Sequence, residues 1–272
     1  MTTALDDRFL LVAGTGELPR LVLDLAARSG ATACILGLPG FDAPGVADHC
    51  QIQIDLGNFE TVIAGLAAEG YRQLVPVGGI RRHLVADGSN SEIWDGDDAV
   101  IRLLVERVES LGLEIVGVHQ LIPGLLASPG VLTAMQPDDT DRTDLQRARE
   151  IVDLLGQADI GQAAVVARRL CLAVESVCGT DVMLQQAGLA MASEFPERRE
   201  RLGLAYKALK RGQESRVDFP VIGPDTIRRA ADAGLRGVAL EASGVMLLDR
   251  ECAISIADRE GLFIWSVARD QG

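Results

Sequence analysis

Several common kinds of site are ruled out by what the chain has little of. Its three histidines, His49, His83 and His119, form no HxH or HExxH pair, which removes a histidine-held metal centre. Its five cysteines, Cys34, Cys50, Cys171, Cys178 and Cys252, include no CxxC and are odd in number. That fits neither a disulfide framework nor a structural zinc site, and they read as reduced core residues. No stretch approaches the roughly 18 to 20 continuous apolar residues of a spanning helix. No cationic leader with an apolar run opens the sequence, so a cytoplasmic protein is expected. Positive charge is scarce as well: 26 Lys and Arg against 39 Asp and Glu give a formal charge of −13. Binding of a polyanion by bulk charge is excluded, nucleic acid included, although a local arginine cluster can still hold one phosphate. There is no internal repeat and no low-complexity tract.

What is present is enough for a large folded protein. At 272 residues, 48% hydrophobic and 24% charged, the chain can bury two modest cores, and two α/β units are expected. From residue 9, short β-branched runs alternate with helical patterns: "FLLVAG", a helix over 17–29, "TACILGL", "CQIQIDL", a helix near 59–69, "QLVPVGG", a helix near 97–111 and "LEIVGV". Alternation of this kind implies right-handed crossovers and a Rossmann-like parallel sheet with helices on both faces. The apolar stretch "LIPGLLASPGVLTAM" (121–135) contains helix-breaking prolines and glycines and reads as a connector. "MQPDDTDRTD" has linker chemistry, with Thr143 or Asp144 as the expected cap of the next helix. The domains are therefore placed at 1–135 and 143–272, joined by a linker over 136–142. In the second, "AAVVAR" and "LCLAVES" lie close enough for a hairpin that bends at Arg168 and Arg169. A helix follows from Asp181, then the basic segment "YKALKRGQESRVDFP", a helix opened by "GPDTI", the strands "GVALEA" and "VMLLD", a helical stretch near 251–259 and "LFIWSVA". This order predicts a mixed α/β domain.

"LLVAGTGELPRLV" (10–22) begins as a dinucleotide fingerprint, strand then Gly14, Thr15 and Gly16, but carries Pro19 where the third glycine belongs. The second strand ends in "LGLPG", without the acid that binds ribose. NAD or FAD is disfavoured. The paired glycines still let a backbone approach a ligand, and the helix start favours an anion, as in a diphosphate or nucleotide. A plain tight turn is the competing reading. Pro19 suits the first turn of a helix. "VGGIRRH" ends another strand with Gly78 and Gly79, then Ile80, Arg81 and Arg82, and bidentate arginines suit phosphate. "WDGDDAVIR" places Asp95, Asp97 and Asp98 at a helix start, where capping alone can explain them.

In the second half, "LAVESVCGTDVMLQQ" puts Glu175 at a strand end and Gly179, Thr180 and Asp181 at a helix mouth. Lys207, Lys210, Arg216, Asp218 and Asp225 follow. Such acids and bases can assemble a divalent ion and a phosphate clamp, since Mg²⁺ takes a few carboxylates beside substrate oxygens. Taken alone, Asp225 after Pro224 is an N-cap, and Asp218 with Arg216 is a surface pair.

"VAGTGELP", "GGIRR", "GDDAVIR", "DIGQAAVV", "VESVCGTD", "KALKRGQESRVDFP" and "IGPDTI", in this order and over nearly the whole chain, resemble the LpxI family of UDP-2,3-diacylglucosamine pyrophosphatases. The resemblance implies Mg²⁺-dependent hydrolysis of that substrate's diphosphate, giving UMP and 2,3-diacylglucosamine 1-phosphate on the route to lipid A. Residue by residue it singles out Glu175, Gly179, Thr180, Asp181, Lys207, Lys210, Gln213, Arg216, Asp218, Pro220, Gly223 and Thr226. Catalytic candidates are Asp225, Asp218, Arg216, Lys207, Glu175, Thr180 and Asp181, with metal ligands among Glu175, Asp181, Asp218 and Asp225. The nucleotide end falls to Gly14, Thr15, Gly16, Leu18, Gly78, Gly79, Ile80, Arg82 and Asp98, with Lys210 and Gln213. The sequence departs from the family at Arg211, Glu214, Gln185, Gln186 and the insert "SEFPERRERLG", which takes Glu214 off the ligand list. A calcineurin-like metallophosphoesterase needs DxH, GDxxD and GNH motifs, and none is present.

Acyl chains need shelter from water, and the connector residues Leu121, Ile122, Leu125, Leu126, Val131, Leu132 and Met135 are expected to line an apolar cleft between domains that close over the lipid, with ordinary core packing as the alternative. Membrane contact is expected to be transient and peripheral, at the inner face of the inner membrane, because a net negative charge is repelled by anionic lipid. A homodimer is compatible with the sequence. The competing function is a non-catalytic UDP-sugar or nucleotide-binding module, and a nicotinamide oxidoreductase is a third, weakened by Pro19.

Overall fold

The computed structural model describes residues 3–37, 46, 51–55, 57–78 and 96–269, with residues 96–100 described by backbone alone. The chain divides into two compact units. The first is 1–123 together with 214–218; the second is 124–213 and 219–272.

The first unit is a five-stranded parallel sheet in the order β3-β2-β1-β4-β5, formed by β1 (Arg8–Ala13), β2 (Thr32–Gly37), β3 (Ile52–Gln53), β4 (Gln73–Val77) and β5 (Glu114–Ile115). This is the order of a doubly wound sheet, whose direction of winding reverses between β1 and β4. β4 is buried along its length, as a strand covered on both faces must be. It nonetheless contains Pro76, which cannot donate to a ladder. The Val116 amide donates to the Leu74 carbonyl at 2.9 Å, so Leu74 and, two residues on, Pro76 face β5. β5 stops at Ile115, paired with Leu74, and asks nothing of Pro76.

α1 (Leu18–Ser29) buries Leu18, Val22 and Ala26 at a spacing of four and ends at Gly30 in the left-handed region, φ 79°. Pro19 sits in its first turn, as expected. α2 (Phe59–Ala68) and α3 (Gly96–Ser110) complete the crossovers, and the short α4 (Val118–Leu121) follows β5.

The second unit is a six-stranded mixed sheet, β6-β13-β11-β9-β7-β8. Its strands are β6 (Gly130–Val131), β7 (Ala163–Ala167), β8 (Leu170–Val174), β9 (Leu204–Lys207), β11 (Gly237–Glu241) and β13 (Phe263–Val267). β10 (Val221–Ile222) and β12 (Met246–Leu247) pair separately. α5 (Asp139–Gln157) covers one face, and α6 (Gly179–Glu194), α7 (Pro224–Asp232) and α8 (Arg250–Glu260) cover the other. Alternation along β7 assigns the faces: Ala164 and Val166 pack with Leu145, Ala148 and Val152 of α5, while Ala163, Val165 and Ala167 pack with Met183, Leu184 and Ala187 of α6. Each large side chain fully buried here contributes about 1.5 to 3 kcal/mol.

The hairpin expected at Arg168 and Arg169 forms, with both residues left-handed at φ 49° and 66°. Asp144 makes this conformation tolerable. Its buried carboxylate accepts the Arg168 amide at 2.9 Å and the Arg169 amide at 2.6 Å. Asp144 is therefore a turn anchor and not the helix cap. Asp138 caps α5, accepting the amides of Thr140 and Asp141, while Asp141 returns a bond to the Asp138 amide. That capping box starts the helix inside the segment read as a linker over 136–142, and the first division of the chain lies instead at 123/124.

The connector 121–135 is also more regular than expected. It supplies the end of α4, a single 3₁₀ turn at Pro123–Leu125 and β6, which adds an edge strand to β13. Val131, Leu132 and Met135 pack on the two cores of the second unit, so ordinary core packing accounts for them. β9, a central strand, was not separated from the basic segment in the sequence.

Candidate active site

In the first unit the turns after β1 and β4 lie against each other at the point where the winding reverses. The Gly14 amide donates to the Val77 carbonyl at 2.7 Å. Gly78 has φ 91°, and a Cβ there would stand 2.5 Å from the Thr15 carbonyl oxygen and 2.7 Å from the Gly14 carbonyl carbon. Gly16 is left-handed at φ 94°, with open space where a Cβ would go. α1 starts without a side-chain cap. Backbone amides and a helix N-terminus thus gather beside β1 and β4, the edge where open α/β sheets take their ligands. Thr15 lies in this turn, whereas Leu18 begins α1 and is buried. Gly79, Ile80, Arg81, Arg82 and Asp95 lie outside the described residues, and Asp98 falls in the first turn of α3, its side chain likewise outside.

The segment 214–218 returns to the first unit from the second. Arg216 holds it there. Its guanidinium donates to Glu214 at 2.8 and 2.7 Å and to Glu109 of α3 at 2.6 Å. The close Glu214 bonds and the two carboxylate charges raise the Arg216 pKa further, and the same guanidinium keeps the Glu214 carboxyl below the usual range. Gly117 provides the room: a Cβ on it would stand 2.9 Å from the Arg216 Cα. Val217 packs on the first core. Asp218 is half-buried and lies in this unit too, so Arg216 and Asp218 belong to a different body from the other catalytic candidates.

In the second unit three of those candidates meet. Glu175 follows β8, Thr180 lies in the first turn of α6, and Lys207 ends β9. The Lys207 ammonium donates to the Thr180 hydroxyl at 2.6 Å and to Glu175 Oε1 at 3.2 Å, and the Thr180 hydroxyl donates to the same carboxylate. The Gln162 amide donates to Glu175 Oε2 at 3.1 Å. Both ends of the ion pair are about nine-tenths buried, with side-chain exposures of 10% and 8%. Gly161 makes the approach feasible, since a Cβ there would lie 2.2 Å from the Glu175 carbonyl oxygen.

Asp181 and Asp225 are placed differently. Both lie in the first turns of their helices, α6 and α7, and are exposed. Asp181 pairs with Arg229 of α7 at 3.2 Å, which ties the two helix starts together, and Asp225 pairs with Arg228. The cap reading of Asp225 does not hold. Gly223 is the N-cap, with its amide donating to the Thr226 hydroxyl at 3.4 Å, and Asp225 sits two residues further in. Gln213 is buried and Lys210 half-buried, and the two are linked, the Lys210 amide donating to Gln213 Oε1 at 3.3 Å. The Lys210 ammonium reaches Asp159 at 2.6 Å.

Among the described residues, no three His, Cys, Asp or Glu side chains form a group that could hold a metal ion by themselves. Glu175 is paired with Lys207, and Asp218 lies in the first unit. Asp181 and Asp225 are exposed carboxylates at the starts of α6 and α7, each paired with an arginine; Mg²⁺ commonly keeps waters and takes one or two such carboxylates together with substrate oxygens.

Two family descriptions cover this chain in succession, the LpxI N-terminal domain over residues 8–125 and the LpxI C-terminal domain over 128–265. The chain belongs to the LpxI family. It is 33% identical over 269 residues to the UDP-2,3-diacylglucosamine pyrophosphatase LpxI of Caulobacter vibrioides, covering 94% of this chain and 96% of that protein. The junction of the two LpxI domains falls within a few residues of the break at 123/124, well before the linker read from the sequence. Most of the residues that gather here were visible in the sequence as residue types at strand ends. Asp159 and Arg229, which fix Lys210 and Asp181, were missed. Asp159 opens the motif "DIGQAAVV" but was not singled out, and Arg229 stands four residues after Asp225, a spacing that puts both on one helix face.

Proposed function

We propose that this chain hydrolyses the diphosphate of UDP-2,3-diacylglucosamine to UMP and 2,3-diacylglucosamine 1-phosphate in lipid A synthesis. The observation that carries the reading is the buried Lys207–Glu175–Thr180 cluster at the start of α6, next to the exposed Asp181, in a chain matched along nearly its whole length by LpxI. Glu175 and Thr180 hold the Lys207 ammonium in one orientation, so that positive charge faces a developing phosphate charge without reorganising. Asp225 is exposed, is not used as a cap and orients the attacking water. Asp181 and Asp225 would hold Mg²⁺, which when bound draws charge off the diphosphate oxygens. Glu175 is no longer a ligand in this scheme but a positioning residue.

The uridine end is held by the turn of Gly14, Thr15 and Gly16 with Gly78. Leu125 and Leu126, both half-buried, contact acyl chains. No described helix is long and apolar enough to cross a membrane. Contact with the inner face of the inner membrane is brief, because a chain of charge −13 is repelled by anionic lipid.

UMP release by Asp225→Ala, with and without a chelator, tests the proposal. A loss of about two to four orders of magnitude is expected with little change in Tm. Retention of more than about a tenth of the wild-type rate defeats the role of Asp225. Absence of UMP release by the wild type in Mg²⁺ defeats the activity itself. Replacing Leu125 or Leu126 by Asn should raise KM for the long-chain substrate more than for a short-chain analogue, and equal effects would remove them from the lipid site.

A further inference from the structure

Tyr206 and Lys207 are neighbours in β9 and therefore point to opposite faces of the sheet. Lys207 faces α6, with Glu175 and Thr180. Tyr206 faces α5, in the core that contains Leu145 and Ala148. On that α5 face a cleft of about 90 Å³ opens where β9 and β11 end. Tyr206 and Glu241 form its floor, with 4% and 5% exposure. Around them stand Arg149 of α5, Lys210 and Arg211 after β9, and Arg269 after β13. The proposed reaction uses none of this apart from Lys210, which the sequence had grouped with the substrate ligands.

The charge and geometry of the cleft favour an anion. Its lining carries four cations and two carboxylates, Asp153 and Glu241, and of the cations Lys210 is engaged by Asp159 at 2.6 Å, which leaves three guanidinium groups against the two carboxylates in a chain that is otherwise strongly negative. Arg269 reaches Glu241 at 3.3 Å and is half-exposed, and Arg211 lies 3.9 Å from Asp153 with its guanidinium turned largely to solvent. Arg149 donates to the Ala268 carbonyl at 2.7 Å, which fixes it beside the Tyr206 ring. The Leu209 amide donates to Glu241 at 3.3 Å, and Gly244 leaves space for that carboxyl, since a Cβ there would lie 2.1 Å from Oε2. Guanidinium groups from three separate segments can meet a tetrahedral oxyanion on more than one oxygen. The volume is several times what one water needs. Burial pushes the Glu241 carboxyl up despite the opposing Arg269 charge.

We propose that the α5-face cleft is a second ligand site of this chain, which binds a phosphate-class anion apart from the reacting diphosphate. Calorimetric titration of inorganic phosphate into the full chain tests it. Saturable binding is expected with a dissociation constant on the order of 1 mM, weakened about tenfold in Arg269→Gln. In Glu241→Gln, which removes a negative charge and keeps the shape, affinity should instead rise about threefold. No saturable heat, or equal affinity in wild type and both variants, overturns the proposal. Loss of UMP release in Arg269→Gln measured without phosphate also overturns it, by placing the cleft within the reacting site. Because phosphate binding is read without turnover, failure here is distinct from failure of the hydrolase reading.

Discussion

The two units of this LpxI chain equip the carboxyl edges of their sheets by different means. At the first, the groups that gather are backbone: Gly14, Thr15 and Gly16 against Gly78, beside an uncapped helix start. At the second they are side chains, Lys207, Glu175 and Thr180 held within 3.2 Å of one another, with Asp181 and Asp225 outside them. A site made of amides is lost by adding a Cβ, whereas one made of charges is lost by removing a partner. The vulnerable positions therefore differ in kind: glycines in the first unit and ion-pair members in the second.

The largest effect on stability is expected where a buried charge loses its mate. Lys207→Met leaves Glu175 buried and uncompensated, which costs about 3 to 5 kcal/mol by denaturant unfolding. Adding Glu175→Gln should return a good part of that stability without returning activity. If the double variant is no more stable than the single one, Glu175 and Lys207 do not depend on each other as described. In the first unit, Gly78→Ala must move the Thr15 backbone and is expected to cost about 2 kcal/mol or more together with nucleotide binding. Gly16→Ala, with open space around it, should cost only about 1 kcal/mol of conformational strain. Equal losses at the two glycines would show that contact between the turns is unimportant.

A smaller effect concerns the hairpin. Asp144→Ala strips two amides of their acceptor at a left-handed turn and should lower stability by about 1 to 3 kcal/mol. An unchanged Tm would mean that Arg168 and Arg169 hold their turn unaided. The smallest effect needs high pH. Burial, then the nearby Glu241 charge, pushes the Tyr206 phenol up to about 12 from 10.0. The fold thus favours the protonated phenol. Its contribution is complete below about pH 10 and is lost as pH rises toward about 12. In a Tyr71→Phe protein, where Tyr206 is the remaining phenol, the phenolate absorbance should appear with a midpoint near 12. A midpoint near the ordinary value would mean that water reaches the floor of the cleft.

The parallel sheet, the hairpin and seven of the eight α-helices among the described residues were legible in the sequence, because strand and helix periodicity are local. β9 was not. "LAYK" gives only four residues of signal between Gly203 and "ALKRG", and its burial on both faces is a fact of the assembled sheet. The start of α5 was misread because Thr143 and Asp144 are as good caps by type as Asp138, and only the reciprocal bonds decide between them. The candidate residues stood out as chemistry at strand ends. Their partners were not: nothing local tells that Glu175 meets Lys207, 32 residues on, rather than a cation from solvent.

The re-entrant segment 214–218 has a consequence for how such a chain can be cut and joined. The backbone passes from one body to the other at 123/124, 213/214 and 218/219, so no single break yields two whole pieces. A fragment ending at 123 would lack Val217 from its core and leave Glu109 without the Arg216 guanidinium. The two halves cannot be exchanged between relatives as beads on a string. A recombinant that swaps the first half must carry the distant pentapeptide with it, and a gene crossover at the junction inherits a plug fitted to the wrong socket.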